Sequence, residues 1–195
     1  VEYVNCNDGE ESIINGTMEL TITDFSGDLF LGLYQLAVNA TVTSLMITTP
    51  TEMVTANGDT AITIDTTRSP VVTTGISGTR MEQTTSAFTQ TLINYTSDQT
   101  LEGNLNPQEY VSDAAGTLDH TALPGVVTYS TTTAFRGVVG QYPRSGDFLV
   151  EGESSTARLF VISETTVRVD IDEDADGTLE SSEEMSWDEF LGNAG

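Results

Sequence analysis

Asp172, Asp174 and Asp176 stand two residues apart near the C-terminal end of the chain, and Gly177, Thr178, Leu179, Glu180 and Glu183 follow them. Carboxylates at this density offer only oxygen ligands, which suits a hard divalent cation and not the softer metals that take His and Cys. A zinc site of His and Cys type is excluded by count, since the chain has one histidine, His120, and one cysteine, Cys6. The same scarcity leaves acid–base catalysis poorly supplied. His120 follows Asp119, but adjacency in sequence does not place a carboxylate on an imidazole. Neither a G-x-S-x-G nucleophile elbow nor a glycine-rich phosphate loop occurs. A carboxylate pair acting on a glycosidic bond is available only in the sense that thirty acids always supply some pair at a suitable separation.

From Asp172 to Glu183 the sequence resembles the calcium loop of the EF-hand family over its twelve positions. The resemblance implies side-chain ligands from Asp172, Asp174 and Asp176, a sharp turn at Gly177 and the backbone carbonyl of Thr178. It further implies Glu180 acting through a water and Glu183 as a bidentate terminal ligand, a set that favours calcium over the strictly octahedral magnesium. The flank departs from the family. Val167, Val169 and Ile171 alternate with Arg168, Asp170 and Asp172 as in a strand, where an EF-hand has its entering helix. The loop is therefore more similar to the D-x-D-x-D-G calcium loops outside paired hands, as in dockerins, thrombospondin type 3 repeats and integrin propellers. A structural ion is expected, not a calcium sensor that opens. With Val169 and Ile171 inward, Asp170 and Asp172 are expected to point to water as the strand ends.

The elements that must position this loop are strands. Threonine is the conspicuous residue, 32 of 195, and with many Val and Ile it lowers helix propensity and fits a pleated, half-buried surface. Met18, Leu20 and Ile22 alternate with Glu19, Thr21 and Thr23; Val38, Ala40 and Val42 with Asn39, Thr41 and Thr43; Ile62 and Ile64 with Thr63 and Asp65. One apolar and one polar face per strand predicts an all-β, antiparallel meander forming a barrel or sandwich. Turn signals fall at Ser26-Gly27-Asp28, Asn57-Gly58-Asp59, Ser145-Gly146-Asp147 and Gly152-Glu153-Ser154-Ser155, and Asn57-Gly58 has the form of a tight hairpin. The polar stretch from Thr96 to His120, with Pro107, reads as a long connection. It sits inside a single domain over 1–195, or between two related halves at about 1–100 and 115–195. At the far end, Ser186 and Glu189 spell a capping box. Trp187, Phe190 and Leu191 at helical spacing predict a short C-terminal turn that lays the only tryptophan against the sheet.

Composition narrows the function classes. Thirty acids against six arginines and no lysine give a net charge of −24, which opposes binding to nucleic acid or to an anionic membrane surface. No apolar run approaches the ~20 residues of a spanning helix. The sequence is thus read as an extracytoplasmic domain (periplasmic, cell-surface or secreted) of binding or structural type, carrying one structural calcium site and no catalytic centre. The alternatives are a β-barrel carrier of an apolar small molecule and, after it, a carbohydrate-active enzyme.

Overall fold

A computed structural model describes residues 1–7, 12–103 and 108–192. Twelve strands follow one another: β1 (Glu2–Asn7), β2 (Ile13–Asp28), β3 (Leu33–Thr48), β4 (Met53–Asp65), β5 (Val72–Thr84), β6 (Thr89–Glu102), β7 (Glu109–His120), β8 (Val127–Val138), β9 (Ser145–Glu151), β10 (Thr156–Ser163), β11 (Thr166–Asp172) and β12 (Ser181–Ser186). One helical turn, α1 (Trp187–Phe190), follows β12. Each strand pairs antiparallel with the next in a single sheet ordered β1 to β12, and β1 does not pair with β12, so the sheet is not closed. No helix among the described residues is long and apolar enough to cross a membrane.

The longest strands bend at bulges that line up across the sheet. Register shifts fall between Asn15 and Thr17, Val42 and Leu45, Gly58 and Ala61, Ile93 and Thr96, and Ser112 and Ala115. A bulge leaves a backbone N–H without a ladder partner, and a side chain from the adjacent strand accepts it. Asn5 N donates to Asn15 Oδ1 at 2.8 Å, Ser44 N to Asn57 Oδ1 at 2.7 Å, and Ala114 N to Thr131 Oγ1 at 2.9 Å. Asn57-Gly58 is therefore no hairpin turn but the bulge of β4. Its asparagine serves the strand on one side, while a Cβ on Gly58 (φ +148°) would stand 2.2 Å from the Arg80 carbonyl oxygen on the other. Ser145-Gly146-Asp147 likewise opens β9, and the β2–β3 turn falls after Asp28, at residues 29–32. The Gly152–Ser155 segment does turn, closed by Gly152 N donating to Ser155 O at 2.8 Å.

The expected connection from Thr96 to His120 is also replaced by strand. Thr96 to Glu102 and Glu109 to Ala115 pair with one another, and Pro107 lies outside the described residues. Ser97, Asp98 and Gln99 are exposed, so no hydrophobic alternation marks this part of the ladder, and backbone pairing overrides the polar composition.

Little of the chain is buried. The accessible surface is 11959 Å², against about 9000 Å² for a compact domain of this mass. Among the described residues, Ala40, Tyr95, Val167 and Trp187 are the buried apolar side chains, and only Val167 is fully enclosed. Thr91, Asp147, Asp170 and Asp172 are the buried polar ones. Five of these eight lie from β9 onward, so the best-packed region is the C-terminal end of the sheet. Elsewhere, tyrosines roof glycines across the ladder: Tyr95 covers Gly78, Tyr129 covers Gly116 and Tyr110 covers Gly137.

Gly58→Ala forces the bulge backbone apart and should lower stability by about 2 kcal/mol, a fall of about 4–8 °C in melting temperature. Gly125→Ala, where a Cβ meets nothing within 4 Å, should leave the melting temperature within about 2 °C of the parent.

Candidate metal centre

Asp172 closes β11 and Ser181 opens β12, so the intervening segment is the loop of the last hairpin. Its backbone is held by its own carboxylates. Asp172 Oδ2 accepts from Gly177 N at 2.9 Å, Asp174 Oδ1 from Asp176 N at 3.3 Å and Asp176 Oδ1 from Thr178 N at 2.7 Å. Glu180 Oε2 accepts from Glu173 N at 2.6 Å, and Glu180 N donates to Ile171 O at 3.0 Å, closing the loop on the strand. Two residues take left-handed backbone, Gly177 at φ +89° and Ala175 at φ +56°. Glycine does so freely, whereas alanine there costs on the order of 1 kcal/mol.

This folding brings Asp172, Asp174, Asp176 and Glu180 together, with one carboxylate oxygen from each lying within 4.8 Å of the others. At that separation two full charges repel by about 1 kcal/mol at the dielectric of water and about 3–4 kcal/mol at an effective value of 20. Four carboxylates form six such pairs, an arrangement that a cation relieves. The cluster could hold a metal ion, and Asp172 carries the clearest sign of one. Its side chain is buried, 5 % exposed, and Oδ1 has no hydrogen-bond partner although Oδ2 has one. A buried acceptor of this kind ordinarily finds a donor or an ion.

Of the six residues expected as ligands, four form the cluster. Thr178 lies within the same loop, its N–H bound to Asp176. Glu183 is not in the group: it is on β12 opposite Val169, and the two-residue strand period places it on the face of Val169 and Ile171, away from Asp172. An EF-hand returns its twelfth residue to the ion through an exiting helix, and a strand does not.

The expectation that Asp170 and Asp172 face open water is overturned, because β12 and the loop cover them; Asp170 is 7 % exposed. Asp170 Oδ1 accepts from Ser182 Oγ at 2.6 Å, directly across the ladder, and stands 3.0 Å from Arg168 Nε in an ion pair not aligned as a hydrogen bond. The network continues through β10 and β9. Arg168 and Arg158 flank the Phe160 ring at 4.6 and 4.4 Å, and the Arg158 guanidinium binds both oxygens of Asp147. Sequence reasoning missed this set of partners. The available signal was scarcity: of six cations, Arg168 stands two residues before Asp170 in an alternating strand pattern.

The terminal turn docks as its sequence implies. Ser186 Oγ accepts from Glu189 N while the Glu189 carboxylate accepts from Ser186 N, completing the capping box. Trp187 is buried, stacked on Tyr142 with ring centroids 5.5 Å apart, and Tyr142 OH donates to Asp188 at 2.7 Å. His120 ends β7, stacked on Phe88, with Nδ1 accepting from Ala122 N. Exposed Cys6 is on β1. The chain matches no protein-family model, no curated protein and no solved structure.

The hydrogen bonds from Arg158 hold the Asp147 carboxyl below the usual carboxylate range. A depressed folded value means that the unfolded chain binds this proton first as pH falls, so the contribution is complete above pH ~4 and lost below it. Melting temperatures measured from pH 5 to pH 2 should therefore fall more steeply for the parent than for Asp147→Asn.

Proposed function

We propose that the chain is an extracytoplasmic β-domain of binding or structural type whose last hairpin is closed by one calcium ion. Asp172, Asp174, Asp176 and Glu180 supply side-chain oxygens and Thr178 its carbonyl, a hard all-oxygen set of high charge. The observation that carries this reading is Asp172 Oδ1, buried and without a donor on one of the four clustered carboxylates. The ion's task is mechanical. The edge strand β12 pairs only with β11, and its first four residues are exposed, so little besides the ladder holds it. The hairpin loop lies immediately before it and the docked Trp187 immediately after. An ion in the loop removes the repulsion that opens the hairpin and keeps the terminal turn in place. Location outside the cytoplasm agrees with the acidic, lysine-free composition and with the millimolar calcium such compartments supply to weak sites. Catalysis is not part of the proposal.

At 1 mM calcium, a site with a dissociation constant of about 10 µM adds about 2.7 kcal/mol of stability, a rise of about 5–10 °C in melting temperature. Thermal unfolding in chelator, 1 mM calcium and 1 mM magnesium should give that rise with calcium and a smaller one with magnesium. Asp172→Asn should abolish the response and Glu183→Gln should retain it. An unresponsive parent contradicts calcium binding. A Glu183→Gln protein as unresponsive as Asp172→Asn contradicts the four-carboxylate site and favours the full EF-hand ligand set.

A further inference from the structure

Strand β2 is covered along its outer edge for only part of its length. β1 pairs with residues between Ile13 and Thr17, and at the end of that ladder Met18 N donates to Val1 O at 2.9 Å while Met18 O accepts from Val1 N at 2.6 Å. Beyond Met18 no strand among the described residues lies on that side, and the residues from Glu19 to Asp28 are all exposed. In an antiparallel ladder the N–H and C=O of one residue point to the same side, and the side alternates along the strand. Met18 directs both groups to the outer edge, so Leu20 and Ile22 do the same, their register with Ala40 and Val38 being unbroken over this stretch. Each offers a donor and an acceptor that no strand takes. Neither lysine nor proline, which guard many free edges against pairing, occurs in β2.

Two features of this edge fix the kind of strand that fits it. Leu20, Ile22 and Phe25 stand opposite Ala40, Val38 and Leu36 of β3, hence on one face, and are 59, 67 and 45 % exposed. Glu19 and Asp24 stand opposite Thr41 and Ala37, on the other face. Cross-strand neighbours share a face, so an added strand sets alternate residues beside Leu20 and Ile22 and the residues between them on the side of Glu19 and Asp24. The first 67 residues hold ten acids and no Lys, Arg or His. A second copy would bring its own Glu19 and Asp24 into this field with no base to offset them, whereas a strand bearing Lys or Arg is attracted by it. We propose that the free edge of β2 binds an extended cationic segment of a partner protein, apolar and basic at alternating positions, which adds to the sheet as a further antiparallel strand. Main-chain hydrogen bonds to Leu20 and Ile22 hold the segment, and the acids on the opposite face select its charge. The register shift between Ile22 and Asp24 ends the regular edge, so the pairing centres on these two residues.

The probe is an end-blocked octapeptide alternating lysine and valine. Calorimetric titration of the full chain should show saturable binding, and amide hydrogen exchange followed by NMR should slow at least tenfold at Leu20 and Ile22 when the peptide is saturating. The valines lie opposite Leu20 and Ile22 and direct their N–H groups to β2. A peptide N-methylated at the valines should therefore bind at least tenfold more weakly, while one methylated at the lysines keeps its affinity. An octapeptide of glutamate and valine should not bind. Ile22→Pro removes one outward N–H without taking a bond from the β3 ladder, and should weaken binding at least tenfold with the circular dichroism spectrum unchanged. Glu19→Gln should weaken it about two- to fivefold, the worth of one cross-strand charge pair. Unchanged exchange at Leu20 and Ile22, the two methylated peptides binding alike, or the glutamate peptide binding as tightly as the lysine peptide would each overturn the proposal. The second of these is what adsorption of a cation to an acidic surface gives. Protection of the same amides that grows with protein concentration in the absence of peptide would assign the edge to a second copy and overturn the proposal as well.

Discussion

A buried carboxylate oxygen with no donor is the constraint around which the C-terminal third is organised. Asp172 Oδ1 has lost its water and gained nothing in return, a debt of about 1–3 kcal/mol for a neutral acceptor and more for a charged one. The neighbouring Asp170 solves the same problem with protein partners, Ser182 and Arg168. Two aspartates on one strand face, two residues apart, thus meet opposite circumstances. One is neutralised by the sheet and the other is left to the loop. The loop brings three more carboxylates, which worsens the electrostatics unless a cation joins them. A cation held among these carboxylates would reconcile arrangement and repulsion.

The constraint matters because the rest of the sheet has little core to spare. Twelve strands in one open meander leave much of both faces in solvent, and most side chains are only partly covered. Backbone ladders, asparagine side chains bound to bulge N–H groups and tyrosines lying over glycines take the place of a packed interior. Only at the last strands do Val167, Trp187 and three aspartates become buried together. The end of the chain is where burial is greatest, and it is also where an edge strand pairs on one side only. A cation held in the β11–β12 hairpin would act where packing and terminal docking meet.

Much of this was legible in the residues. Met18, Leu20 and Ile22, or Val167, Val169 and Ile171, announce strands by period two, and Ser186 with Glu189 announces the capped turn that the structure contains. The resemblance to the EF-hand loop also picked out the four acids that the loop assembles, together with Glu183, which is not among them. What stayed hidden depends on register. Asn57-Gly58 spells a hairpin, yet its asparagine serves Ser44 on the neighbouring strand and its glycine lies against Arg80, contacts that no local pattern contains. Ser97, Asp98 and Gln99 lack an apolar face and so read as a connection, although their backbones pair like any others. Glu183 occupies the twelfth place of a familiar loop, but it lies on a strand and is not among the clustered acids. A strand with Val169 opposite sends it to the other face.

The most direct test of the account is a crystal structure at about 2 Å resolution grown from calcium-containing solution, with attention to one atom. The account predicts an ion about 2.3–2.6 Å from Asp172 Oδ1, ringed by oxygens of Asp174, Asp176 and Glu180 and by the Thr178 carbonyl. An ordered water or a protein donor against Asp172 Oδ1, with no ion in the loop at saturating calcium, would contradict it and return residues 172–183 to an acidic hairpin that folds without metal.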